Sequence, residues 1–88
     1  MPFEYDFAKS KNNQTKHGIS FKEAERLWEG EVLELSSIYP NESRKLCIGK
    51  IDKTFWTAIV TYRAANIRII SVRRARDNEK EIYLKKYP

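Results

Sequence analysis

The stretch Ile67-Arg68-Ile69-Ile70-Ser71-Val72-Arg73-Arg74-Ala75-Arg76 decides how the chain is read. Its β-branched run is a strand by composition, since Ile and Val pack well on a pleated surface. The arginines collect at its C-terminal end, and the charged segment that follows reads as a helix over Asp77–Lys86. Arg73, Arg74 and Arg76 put three planar, permanently charged groups at the end of a rigid element. Guanidinium forks of this kind suit phosphate. Alternation sets Ile67, Ile69, Ser71 and Arg73 on one face and Arg68, Ile70, Val72 and Arg74 on the other. Both faces are half apolar, so the pattern leaves open which one is core. It also implies that Arg73 and Arg74 converge on one site only if the strand is ending. The competing reading pairs these arginines with Glu79 and Glu81 on the following helix.

Working back from this strand, the middle of the chain is β. Thr54–Tyr62 is the strongest strand by composition, and a turn near Ala64-Ala65-Asn66 joins it to the arginine strand. Asp52-Lys53 is a tight hairpin connection to a strand over Arg44–Ile51. A polar turn through Pro40-Asn41-Glu42-Ser43 leads back to a strand over Val32–Ile38. The N-terminal third is helical. Asp6 is an N-cap for a helix over Phe7–His17 that Gly18 stops, with Lys9, Asn13, Lys16 and His17 on one side. Ser20-Phe21-Lys22-Glu23 is a capping box, and Phe21, Ala24, Leu27 and Trp28 form the buried stripe of a second helix ended by Gly30. Phe3-Glu4-Tyr5 alternates as a short first strand. Ile82, Tyr83 and Tyr87 are placed to pack inward from the last helix. The expected architecture is α+β: an antiparallel four- to five-stranded sheet with an N-terminal helical hairpin and a C-terminal helix, the helices on one face.

An 88-residue chain with 41% hydrophobic and 33% charged residues suits one folded domain, residues 1–88. Net charge is +5, unevenly spread. Residues 1–44 carry 6 Lys/Arg and 8 Asp/Glu, whereas residues 45–88 carry 11 and 4. The basic half holds the arginine strand, which points to a polyanionic partner over a merely solvated surface. Cys47 is the sole cysteine, so an intramolecular disulfide and a Cys-based zinc cluster are excluded. The N-terminus lacks the basic flank and apolar core of a signal peptide. No run approaches the roughly 18 apolar residues of a membrane span, so a soluble intracellular protein is expected, with no membrane partner.

His17 is the only histidine. It reads either as a cap beside a helix-ending glycine or as a proton-transfer group, since histidine alone has an ordinary pKa near neutrality. Glu79 and Tyr83 are four apart and share a helix face; Tyr83 reads as core before catalyst, and Glu79 equally as ion-pair partner or base. Trp28 and Trp56 read as core. One histidine and scattered carboxylates argue against standard metal ligation, and Gly18, Gly30 and Gly49 are too dispersed for a phosphate loop. No metal and no cofactor are expected. Catalysis by Arg, Lys, His, Glu and Tyr suits RNA cleavage by its own 2′-hydroxyl, because the substrate then supplies the nucleophile.

The residues also carry a family signature. Phe3-Glu4-Tyr5-Asp6, Ala8-Lys9, Asn12 or Asn13, Lys16-His17-Gly18-Ile19-Ser20-Phe21 and Glu23-Ala24 resemble the N-terminal motif of BrnT toxins. Ile48-Gly49, the run Ile67–Ala75, Glu79 and Tyr83 resemble the C-terminal one, with Glu31–Lys45 the weakly matched part. The resemblance implies a RelE-like fold and a cytoplasmic ribonuclease toxin of a type II toxin–antitoxin system that arrests translation. Its implied partners are RNA as substrate, a BrnA-like ribbon-helix-helix antitoxin, and operator DNA through the toxin–antitoxin complex. It implies His17 as general base or acid beside Lys16, with Arg63, Arg73 and Arg74 on the scissile phosphate. Tyr83 and Glu79 would orient or relay a proton. The family pattern sets a carboxylate beside the arginine equivalent to Arg63, where this chain has Tyr62 and Ala64. The alternative is a non-catalytic nucleic-acid- or antitoxin-binding module that acts as a transcriptional corepressor.

Overall fold

The computed structural model describes residues 2–37 and 43–88. Strand β1 (Phe3–Glu4) leads to helix α1 (Phe7–His17), and α2 (Phe21–Ala24) runs on into a 3₁₀ segment, Glu25–Glu29. Strands β2 (Leu33–Ser36), β3 (Lys45–Ile51), β4 (Thr54–Arg63) and β5 (Asn66–Arg74) follow, and α3 (Asp77–Lys86) closes the order. The expected strand over Val32–Ile38 is shorter, and its Ile38 and the turn residues Pro40, Asn41 and Glu42 lie outside the described residues.

Local signals set the helix ends. The Asp6 carboxylate accepts from the Lys9 N–H at 3.0 Å, and Gly18 takes the left-handed conformation, φ 81°, that a β-carbon would strain. Ser20 and Glu23 make the reciprocal capping box. The second helix departs from the α form after Ala24 and tightens into 3₁₀, yet its stripe is buried as expected at Phe21, Ala24 and Leu27. Asp52, with φ 55°, makes the tight turn from β3 into β4.

The five strands lie in the order β1-β5-β4-β3-β2. The sheet is mixed, not wholly antiparallel: β1 pairs in parallel with β5, Phe3 opposite Ile67 and Glu4 opposite Arg68. All other pairs are antiparallel. A parallel first strand follows from the intervening chain, which crosses over through α1 and α2 and reaches the far edge. A second correction concerns the helices. Cys47, Ala58 and Val72 pack with Phe21, Ala24 and Leu27, whereas their strand neighbour Ile48 packs with Tyr83 of α3. Successive strand residues point to opposite faces, so α2 and α3 cover opposite sides of the sheet. Gly49 lets the larger layer close, since a β-carbon there would stand 3.0 Å from the Leu27 side chain. Tyr83 and Tyr87 pack inward from α3 as expected, but Ile82 stays 41% exposed because it lies off that stripe.

Helix α1 buries only polar residues of its own, Ser10 and Asn13, and its Phe7 ring meets Tyr5 while staying mostly exposed. β1 covers the outer edge of β5 only at Ile67 and Arg68, so Val72 further along would be left with unpaired backbone groups. Asn13 supplies both partners. Its Nδ2 donates to the Val72 carbonyl at 2.9 Å, and its Oδ1 accepts the Val72 N–H at 3.1 Å. The second Nδ2 hydrogen reaches the Ile19 carbonyl at 2.8 Å. Ser10 Oγ accepts the Phe21 N–H at 2.9 Å and ties in the start of α2. Asn13→Ala leaves three buried backbone groups unsatisfied and is expected to lower unfolding free energy in urea by about 2–4 kcal/mol. Asn12→Ala, on the exposed side, should stay within about 0.5 kcal/mol, and equal losses at both positions would show that the clamp contributes nothing.

Candidate active site

The arginines that close β5 diverge, as strand alternation demands. Arg73 stands opposite Thr57 of β4, and Arg74 stands opposite Trp56. Thr57 faces α3 through a hydrogen bond to Glu79, whereas Trp56 packs in the layer under α2. The two guanidiniums therefore leave the sheet on opposite faces of the same strand end.

Arg73 is held by Glu79, the competing reading of the sequence. Its Nη1 donates to Oε1 at 2.8 Å and its Nη2 to Oε2 at 2.9 Å, a bidentate pair. Glu79 is 5% exposed and also accepts from the Thr57 hydroxyl at 2.9 Å and the Arg76 N–H at 2.8 Å. Burial raises its pKa, but the bonds from Arg73, the Arg76 N–H and Thr57 outweigh it and hold the carboxyl at about 2. Such a group is a poor proton acceptor near neutrality. Glu79 braces β4, β5 and the first turn of α3, while Glu81 is exposed. Tyr83 is buried between Phe55 and Tyr87 and donates its hydroxyl to the Glu31 carbonyl at 3.0 Å. Its hydroxyl is thus engaged at the start of β2.

Arg74 is exposed, with its Cζ 5.2 Å from the centroid of Trp56. Arg76 is exposed as well. Lys16 is exposed and His17 half-buried at the end of α1. α1 runs alongside β5 in the same direction. At its start the Asp6 carboxyl is held below the usual range, first by the Lys9 N–H and further by nearby Arg68. Asn13 then meets Val72. Four helical residues beyond Asn13 advance His17 by about 6 Å, and two strand residues beyond Val72 advance Arg74 by about 7 Å. His17, Lys16 and Arg74 therefore reach the same end of the sheet, with no hydrogen bond or ion pair among them in the described residues. Arg63 does not join them. It lies at the opposite end of β4, six strand residues and so about 20 Å from Thr57, and pairs with Glu4 at 3.8 Å. Tyr62 beside it gives its hydroxyl to Glu34 of β2. Burial first, then Glu34, pushes the Cys47 thiol up to about 12, so it stays protonated and unreactive.

Thr57 and the Trp56–Arg74 contact went unread in the sequence. The signal for Thr57 was register alone: a hydroxyl inside an apolar strand, facing the element that follows the arginines.

Residues 5–79 match the family described as the ribonuclease toxin BrnT of type II toxin–antitoxin systems. The chain belongs to this family. The matched span includes Lys16, His17, Arg73, Arg74 and Glu79. The fold is similar to the crystal structure of the Brucella abortus ribonuclease toxin BrnT, with a TM-score of 0.66 at 22% identity. That likeness covers 88% of this chain and 99% of the Brucella one. No curated protein gives a match. Family membership assigns a ribonuclease class and a system that includes an antitoxin. Among the described residues no helix is long and apolar enough to cross a membrane.

The Glu79 brace has a pH signature. Its folded pKa lies below the ordinary value of 4.5, so its stabilisation is present above that value and is lost as pH falls toward 2. The shift corresponds to about 3 kcal/mol. Glu79→Gln is expected to be less stable at neutral pH and to lose less stability than the wild type between about pH 5 and pH 2, each read from urea midpoints. Parallel pH profiles would refute the brace.

Proposed function

We propose that the protein is a metal-independent endoribonuclease that cleaves RNA through the substrate's own 2′-hydroxyl at the end of β5. The reading is supported by membership of the BrnT ribonuclease toxin family together with the anchoring of α1 at Val72, from which it runs toward the Arg74 end of β5. His17 takes the proton from the 2′-hydroxyl. The 2′-oxygen attacks phosphorus, the bond to the 5′-oxygen breaks, and a 2′,3′-cyclic phosphate forms. The leaving oxygen takes a proton from Lys16 or solvent. Arg74 stabilises the crowded phosphate, while Arg73 lies on the other face. Glu79 keeps Arg73 in place, Tyr83 supports α3, and Arg63 lies outside this phosphate site. The substrate carries the nucleophile, so the step needs no metal ion.

In this reading the protein acts in the cytoplasm and inhibits translation. Its antitoxin is BrnA-like, with a ribbon-helix-helix part that carries the complex to operator DNA. The +7 balance of residues 45–88 supports an anionic substrate. The test is a gel assay of purified protein on RNA with EDTA present. Cleavage to 5′-hydroxyl ends is expected, reduced at least 100-fold in His17→Ala. Arg63→Ala should cut close to the wild-type rate. RNA left intact by the wild type, even with ribosomes added, would turn the assignment to a non-catalytic corepressor.

A further inference from the structure

We infer that Trp56 is a positioning residue whose indole holds the Arg74 guanidinium ready for a phosphate of the RNA strand. The inference rests on the ribonuclease reading above and deepens it by dividing labour between the two adjacent arginines. Arg73 commits donors from both terminal nitrogens to Glu79 and one more bond to the Arg74 carbonyl at 3.2 Å. A phosphate there competes with a carboxylate already seated. Arg74 has no hydrogen bond or ion pair from its side chain among the described residues, and its guanidinium lies over the ring of Trp56.

That ring is itself fixed. Trp56 is only 8% exposed, sits opposite Gly49 on β3 and belongs to the main core cluster. A guanidinium held over an aromatic ring by cation–π attraction still has N–H donors to offer a phosphate. A long, exposed side chain is thereby narrowed to few conformations before RNA arrives. Lysine offers the same charge without the planar face, so the device is specific to arginine.

The test is fluorescence anisotropy with a labelled single-stranded 2′-O-methyl RNA, which cannot be cleaved through a 2′-hydroxyl, titrated over a range of salt. Trp56→Leu is expected to weaken binding about three- to fivefold with an unchanged salt slope, because no charge is lost. Arg74→Ala should weaken it further and make the log–log slope shallower by about 0.7. In the Arg74→Ala background, Trp56→Leu should add nothing. Arg74→Lys leaves the core intact and should copy the affinity loss with the slope retained, so it carries the test if Trp56→Leu fails to fold. Additive losses, or a lysine variant that binds like wild type, would overturn the inference. Wild-type binding that Arg74→Ala leaves unchanged would overturn it alone, whereas no binding by the wild type would remove the ribonuclease reading with it.

Discussion

The carboxamide of Asn13 is the contact on which the arrangement depends. A helix whose only apolar residues are Phe7 and Ala8, with Phe7 82% exposed, has no hydrophobic reason to lie against a sheet. It docks because an asparagine side chain has the same donor and acceptor as a peptide group, and the edge of β5 lacks a strand at that point. The amide completes the ladder at Val72 and holds Ile19 with its spare hydrogen. Three consequences follow from one side chain. The direction of α1 is set, the chain after Gly18 is aimed so that Phe21 enters the core, and His17 is carried to the end of β5. Displacing a buried polar clamp costs more than displacing an apolar contact of the same area, because each abandoned group stays unsolvated.

Glu79 answers the same problem on the other face. A carboxylate that is 5% exposed is tolerable only when its oxygens are bonded, and the bidentate guanidinium, a hydroxyl and a backbone N–H do this. Its place in the first turn of α3 adds the favourable field of a helix start. A buried ion pair seldom stabilises more than well-packed apolar groups would, but it tolerates one geometry only. Here that geometry fixes where β5 ends and α3 begins, and with it the face on which Arg73 lies.

Signals that act over a few residues were legible in the sequence. Asp6, Gly18 and Ser20–Glu23 cap helices by bonds to neighbours in the chain, and the Asp52-Lys53 turn follows from conformational preference. The core stripe at Phe21, Ala24 and Leu27 follows from period alone. What escaped was long-range. Parallel pairing of β1 depends on where a crossover returns the chain, and nothing in Phe3-Glu4-Tyr5 states it. The burial of Asn13 depends on an unpaired edge 59 residues away. Lys9, Asn13, Lys16 and His17 share a side by spacing, but spacing did not say that Asn13 would turn into the sheet. Arg63 was grouped with Arg73 and Arg74 by the family resemblance, yet the hairpin sends it to the other end of the sheet.

Strand alternation sets the two arginines at the end of β5 on different faces. Within the body of β5, residues on opposite faces are separated by the sheet, and no single phosphate can meet both. At its last residues Arg73 and Arg74 are still paired with Thr57 and Trp56 of β4, so they stay on opposite faces and are tied to different layers. Each is fixed by a neighbour suited to its face: a carboxylate under α3, an indole under α2. The strand end thus combines the accuracy of a rigid scaffold with access from both sides, which a loop would provide only with greater mobility. The helix that delivers His17 is anchored to the same strand two residues earlier, so the histidine and the arginines share one mechanical reference.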